Sequence, residues 1–296
     1  MNDLWQRYND RLCRCRSVGL TLDTSRMDHD ADFDACMAPK LTRAFAAMDA
    51  LEDGAIANPT EQRMVGHYWL RDADRAPTQQ IRKAITGNLE KVKAFAQRVH
   101  EGRLRSSTKE RFTDLLLIGI GGSALGPQLI ADALGSPGDA MTIHYLDNTD
   151  PDGFARTFGT LGDRMTRTLA LVVSKSGGTP ETRNGMLEAQ AAFADAGLPF
   201  ARHAVAVTGV GSALDKVARS EKWLARFPMW DWVGGRTSVT ASVGLLPAAL
   251  QGLDIDALLA GAAAMDDLTR KHDPRKNPAA RLALMWYHAT DYGRGR

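Results

Sequence analysis

Four short apolar runs sit in the middle of this 296-residue chain, and each stops at a polar or glycine residue before the pattern changes. They are DLLLIGI (114–120), MTIHYLD (141–147), TLALVVS (168–174) and HAVAVT (203–208). Runs of this length, bounded by turn residues, suit strands buried on both faces. Segments 125–134 and 180–197 have helical spacing, with Gly197 as a stop, and a further helix runs through Leu214, Val217 and Ala218. Strands that alternate with helices form a parallel sheet covered on both sides, so the pattern predicts an α/β fold.

The flanks read differently. Up to about residue 108 the chain is amphipathic, with apolar residues recurring at three and four from Ala35 to Met48. Asn58-Pro59-Thr60-Glu61 predicts a helix start, because Pro fits the first turn and an acid there suits the dipole. That helix is expected to run through Arg63, Val65, Tyr68 and Leu70, and another to cover 78–100. Segments 238–253, 255–272 and 277–293 also predict helices. The last carries an apolar face of Leu282, Met285 and Trp286 with no later segment to cover it, the pattern of a chain cut short.

Composition excludes several classes of function. The formal charge is +2, with Lys and Arg spread along the chain, so no dedicated nucleic-acid surface is expected. No run of roughly twenty apolar residues predicts a membrane span, and the first twenty residues lack the apolar core of a secretory signal. The three cysteines, Cys13, Cys15 and Cys36, do not have zinc-knuckle spacing and read as reduced thiols of a cytoplasmic protein. No carboxylate cluster or paired-histidine spacing predicts a metal.

Two strand ends carry the chemistry. In Gly119-Ile120-Gly121-Gly122-Ser123-Ala124-Leu125-Gly126-Pro127 the glycines let the backbone approach a ligand, and the helix that follows offers its positive end to a phosphate. Taken alone, Gly119, Gly121 and Ala124 also fit a dinucleotide turn, with acidic Asp147 ending the next strand. The second end is Ser174-Lys175-Ser176-Gly177-Gly178-Thr179. It offers three hydroxyls, a charge and a free backbone, with Thr179 placed to cap a helix whose first residue is Pro180. A nicotinamide cofactor needs no second hydroxyl-rich cradle, whereas a monophosphate dianion is well served by one.

These stretches resemble the sugar isomerase (SIS) domain, and more closely the glucose-6-phosphate isomerase family. The resemblance rests on the two strand ends, on Asp231-Trp-Val-Gly-Gly-Arg-Thr-Ser238 with Ser242-Val-Gly-Leu, and on Asn58-Pro-Thr-Glu-x-Arg63 with His67-Tyr68 and Leu70-Arg71. It runs from about residue 55 onward. It implies a five-stranded parallel SIS sheet between helices, preceded by a helical N-terminal segment. The expected divisions are 1–110 for that segment, 111–265 for a first SIS subdomain and 266–296 for helices leading to a second.

The family interconverts glucose 6-phosphate and fructose 6-phosphate through a cis-enediolate, without cofactor. The resemblance implies that Ser174, Ser176 and Thr179, with backbone from Lys175, Gly177 and Gly178, bind the phosphate. It implies that Gly122 and Ser123 border the sugar and that Arg236 stabilises the enediolate. A fixed, always-protonated donor suits a developing oxyanion. The family's general base and its ring-opening His and Lys belong to the second subdomain. None of His29, His67, His100, His144, His203, His272 and His288 matches the ring-opening motif. His144 is expected as a satisfied core residue, His67 as packed or on the surface, and Glu181 as scaffolding. The resemblance therefore implies an N-terminal fragment that binds sugar phosphate without turnover, from a protein that is a homodimer at full length. A regulator that binds sugar phosphate without catalysis would keep the two cradle loops but has no need for Arg236. A nicotinamide dehydrogenase built on 119–124 is the other alternative.

Overall fold

The computed structural model describes residues 2–29 and 31–295. The chain runs through α1 (Asn2–Asp10), a hairpin of β1 (Leu12–Cys15) and β2 (Leu20–Asp23), and α2 (Ala31–Glu52). A second hairpin, β3 (Ile56–Asn58) and β4 (Arg63–Met64), precedes α3 (Gln79–His100). Strands and helices then alternate: β5 (Asp114–Ile118), α4 (Gly122–Leu134), β6 (Thr142–Leu146), α5 (Pro151–Leu161) and β7 (Thr168–Ser174). The alternation continues with α6 (Pro180–Asp195), β8 (Ala204–Thr208), α7 (Ala213–Ser220) and β9 (Ala225–Pro228). Helices α8 (Ser242–Gln251), α9 (Ile255–Thr269) and α10 (Pro278–Ala289) follow. No helix among the described residues is long and apolar enough to cross a membrane.

Two compact units emerge, one from Ile56 to Asp256 and one from the stretches up to Ala55 and from Ala257. The first holds the expected sheet: five parallel strands in the order β6-β5-β7-β8-β9. β5, β7 and β8 are buried at every position, because both faces are covered. Alternate residues Leu116, Ile118, Ala170, Val172, Ala204 and Ala206 pack with Leu161, Phe193, Leu214 and Trp223 on one face. On the other, α8 packs against both α3 and α4. The fifth strand, β9, is short and ends at Pro228, which the sheet tolerates at an edge. With α3 packed on α8, this unit takes in residues 56–110 as well, so it starts well before the expected division at 110.

In the other unit, Phe33 and Met37 of α2 pack with Leu284 and Met285 of α10. Arg281 is buried there and donates to Thr24 Oγ1 at 3.1 Å and to Asp34 Oδ1 at 3.2 Å. Cys13 and Cys15 are buried free thiols and Cys36 an exposed one. The apolar face of α10 expected to be uncovered is so only in part: Trp286 is 66% exposed and Leu282 38%, whereas Met285 is buried against α2.

The expected helix from Asn58 to Leu70 does not form. Asn58 and Pro59 open a tight turn instead. Asn58 Oδ1 accepts from Glu61 N at 3.1 Å, Gln62 takes φ of 52°, and the chain returns antiparallel as β4. A 3-10 turn, His67–Leu70, follows. Gly66 is required before it, since a Cβ there would lie 2.1 Å from the Trp69 ring.

Candidate functional site

The strand order creates the crevice. From β5 the chain crosses to β6 on one side, and from β7 it crosses to β8 on the other, so the loops after β5 and β7 diverge. Ligands of open parallel sheets sit at such a switch point, beyond the carboxyl ends of the strands. Both loops flagged by the sequence lie there.

The loop after β5 turns at Gly121, which has φ of 56° and starts α4. Gly122 follows with no room for a side chain: a Cβ would lie 2.3 Å from the carbonyl oxygen of Gly235. The glycine is what lets the Gly234-Gly235-Arg236 turn lie against the start of α4. Ser238 strengthens this contact, donating to Gly235 O at 2.8 Å and reaching Gly122 O at 3.4 Å. Ser123 is half-buried beside Gly119.

The loop after β7 is held from within. Ser174 is only 4% exposed; its Oγ accepts from Gly177 N at 3.1 Å and donates to Thr179 Oγ1 at 3.4 Å. Its carbonyl accepts from Thr208 Oγ1 at 2.7 Å, and the Lys175 carbonyl accepts from Gly209 N at 3.0 Å, fixing the loop to the end of β8. Gly177 is left-handed at φ 69° and abuts Leu214, leaving no space for a Cβ. Ser176 and Gly178 are exposed, and Gly178 N donates to Ser176 Oγ at 3.1 Å. Thr179 occupies the N-cap position of α6, but its hydroxyl does not cap: its oxygen accepts from Ser174 instead. The leading N–H groups of this 16-residue helix are thus left without a capping side chain, at its positive end.

Lys175 points elsewhere. Its Nζ donates to the carbonyls of Asp231 at 3.0 Å and Val233 at 3.1 Å, with Asp231 Oδ1 at 3.8 Å. Burial lowers its pKa below the ordinary lysine value, and Asp231 works in the opposite direction. The segment it grips is backed by aromatic packing: Trp230 stacks on Trp232 at 4.9 Å, Trp232 lies 5.4 Å from Trp69, and Gly66 N donates to Trp232 O. Residues 64–70 thus form the support of the 230–233 segment.

Arg236 itself is exposed in a 3-10 turn and makes no hydrogen bond or ion pair with any described residue. The structure therefore brings the loops of all nine predicted residues to one crevice: Gly122 and Ser123 from one strand end, Ser174 through Thr179 from the next, and Arg236 on the turn against Gly122. It separates their roles, however. Ser174 and the Lys175 side chain are committed to protein partners, while Ser176 is open. The sequence placed Ser238 in a motif without a role and did not single out Thr208; Ser238 joins the Arg236 turn to Gly122, and Thr208 joins the Ser174 loop to the end of β8.

His144 and His203 are held by partners outside these loops. His144 Nε2 bonds Asp114 Oδ1 at 2.8 Å, near the opposite end of the sheet, as a satisfied core residue. His203 is fully buried between the Thr168 carbonyl at 2.9 Å and Ser107 Oγ at 2.8 Å. Glu181 makes no side-chain bond with any described residue, so a scaffolding role for it has no contact behind it. No group of three or more His, Cys, Asp or Glu among the described residues is placed to hold a metal.

Comparison with known proteins agrees with this architecture. The family model for phosphoglucose isomerase matches residues 34–293. The glucose-6-phosphate isomerase of Synechococcus elongatus is 60% identical over 293 residues, covering 99% of this chain and 55% of that protein. That of Geobacter sp. strain M21 is 58% identical over 287 residues, covering 97% and 54%. The crystal structure of a glucose-6-phosphate isomerase from Chlamydia trachomatis superposes with a TM-score of 0.84 at 27% identity, over 97% of this chain and 56% of that one. The chain spans about half the length of the curated relatives it matches.

Proposed function

This chain belongs to the phosphoglucose isomerase family, and we propose that it provides the phosphate anchor and the enediolate-stabilising arginine for interconversion of glucose 6-phosphate and fructose 6-phosphate. The observation that carries this reading is the junction of three motif loops at the carboxyl ends of β5 and β7, fixed by the Gly122–Gly235 contact, the Ser238 bonds and the Lys175 bonds to residues 231 and 233. The phosphate dianion accepts from the hydroxyls of Ser176 and Thr179 and from N–H groups of the loop and the uncapped start of α6. Ser174 keeps that loop in shape. The sugar carbons then run past Gly122 and Ser123 toward Arg236. When a base removes the C2 proton, the electron pair moves toward the carbonyl oxygen and an enediolate forms. Arg236, unpaired and always protonated, meets that charge. The proton returns at C1, so no cofactor is consumed.

Proton transfer needs a base within hydrogen-bond reach of the carbon acid. The family's base and ring-opening residues match no position among these 296 residues, so this polypeptide by itself is expected to bind and not to turn over. The same reading makes the full-length protein a homodimer and, with a metabolic sugar phosphate as substrate and thiols that are free, a cytoplasmic one.

Calorimetric titration of the purified chain with 6-phosphogluconate tests the anchor. Ser176→Ala combined with Thr179→Ala should weaken binding by at least about a hundredfold, since each hydroxyl bond to a charged group is worth roughly 1.5–3 kcal/mol and tenfold corresponds to about 1.4 kcal/mol. Equal affinity in a folded double variant would remove the phosphate from this loop. In a parallel coupled assay, measurable conversion by protein freed of host enzyme would contradict the expected lack of turnover.

A further inference from the structure

Lys175 stands in the middle of a phosphate-cradle motif, where a cation would ordinarily be assigned to the phosphate. Its geometry opposes that assignment. An ammonium has three donors; two are spent on the Asp231 and Val233 carbonyls, and the Asp231 carboxylate stands at 3.8 Å. Turning toward a phosphate would strip both carbonyls of this partner, the Val233 one in a part-buried position. The side chain instead spans from one loop of the site to another. Its own carbonyl is fixed by Gly209 N at the end of β8, so the span has a firm base. At its far end, the gripped residues immediately precede the exposed Gly234–Arg236 turn, which rests on Gly122 from the other side.

We infer that Lys175 is a positioning residue: it clamps residues 231–233 so that Arg236 is presented to the reacting carbons of a substrate whose phosphate sits in the 174–179 loop. Capture of the phosphate and placement of the guanidinium are thereby coupled through one side chain. This inference rests on the reading of the site given above.

The experiment compares wild type with Lys175→Met and Lys175→Arg by two readouts. The first is amide hydrogen exchange across 230–238 without ligand. The second is calorimetric affinity for arabinonate 5-phosphate, whose carboxylate mimics the enediolate charge, and for sorbitol 6-phosphate, which has the phosphate and no such charge. Lys175→Met should speed exchange in 230–238. It should weaken the arabinonate about tenfold and the polyol by less than about twofold, as expected when one charge-assisted contact to the ligand's carboxylate end is misplaced. Lys175→Arg, which keeps the cation, should recover most of both losses. If Lys175→Met does not melt cooperatively, Lys175→Gln takes its place with the same expectations. Equal weakening of both ligands would make Lys175 a phosphate contact and overturn the inference, as would unchanged exchange in 230–238. Wild type that binds neither ligand would reject the sugar-phosphate reading, while the exchange comparison would still decide whether Lys175 holds the loop.

Discussion

The imidazole of His67 is half-buried, and its Nδ1 is shielded from water without a hydrogen-bond partner. Burial, aided by the neighbouring Arg71 guanidinium, pushes its pKa down to about 4 from an ordinary 6.5. The unfolded chain therefore takes up this proton near pH 6.5 and the folded chain only near 4. Between those values the unfolded state binds more protons, so the contribution is whole above pH 6.5 and is lost as pH falls toward 4. His203, also lowered by burial, acts in the same direction. Denaturant midpoints measured at pH 7, 5.5 and 4.5 should thus fall for the wild type and fall less for His67→Phe. Superimposable profiles would mean that the ring is as free to charge in the fold as outside it. The sequence left His67 either packed or on the surface, and the fold half-buries it. Its orphaned nitrogen was not legible, because hydrogen-bond partners are set by chain segments far away in sequence.

Between elements, one close contact of the site is backbone on backbone, where the first residue of α4 meets the 3-10 turn that carries Arg236. Gly122→Ala places a methyl 2.3 Å from the Gly235 oxygen, and no flexible side-chain end is there to yield. The turn must move. The expected cost is about 1–3 kcal/mol of stability, together with loss of 6-phosphogluconate affinity; thermal melting and titration check the two parts. An alanine variant with unchanged melting and affinity would show that the contact is not what sets the crevice. The strands on either side of it were legible because β5 and β7 are apolar at nearly every position, which only a sheet covered on both faces rewards. The hairpin at 56–64 was not. Asn followed by Pro serves a helix start and a tight turn equally well. The choice is made by Gln62 at positive φ and by Gly66 beneath Trp69, contacts that no local spacing reveals. The site was half legible for the same reason. Hydroxyls and glycines announce a cradle, but whether Lys175 faces ligand or protein depends on the distant Asp231 and Val233.

At the scale of the molecule, the sequence suggested a boundary near residue 110, where apolar runs replace amphipathic ones. The compact unit instead begins at Ile56. The apolar stripe of α3, including Ile85, Val92, Phe95 and Val99, marks a helix that must cover something, and periodicity cannot say what. It covers α8, with Asn88 Nδ2 donating to Ser242 Oγ at 2.9 Å in the buried seam. The support of the Arg236 turn likewise comes from residues 64–70, on the same side of the new boundary. A unit that owns its sheet, both covering layers and the buttress of its site has what independent folding requires. Residues 56–256 expressed alone should therefore melt in one cooperative transition and bind 6-phosphogluconate within about threefold of the whole chain, a difference under about 1 kcal/mol. A polypeptide starting at residue 111 should do neither, because it leaves α8 uncovered and the 230–233 segment unsupported. If 56–256 is molten while the whole chain is folded, the sheet depends on the other unit. If instead the version starting at 111 folds and binds, α3 and the hairpin are accessories, and the boundary first suggested by the sequence is the physical one.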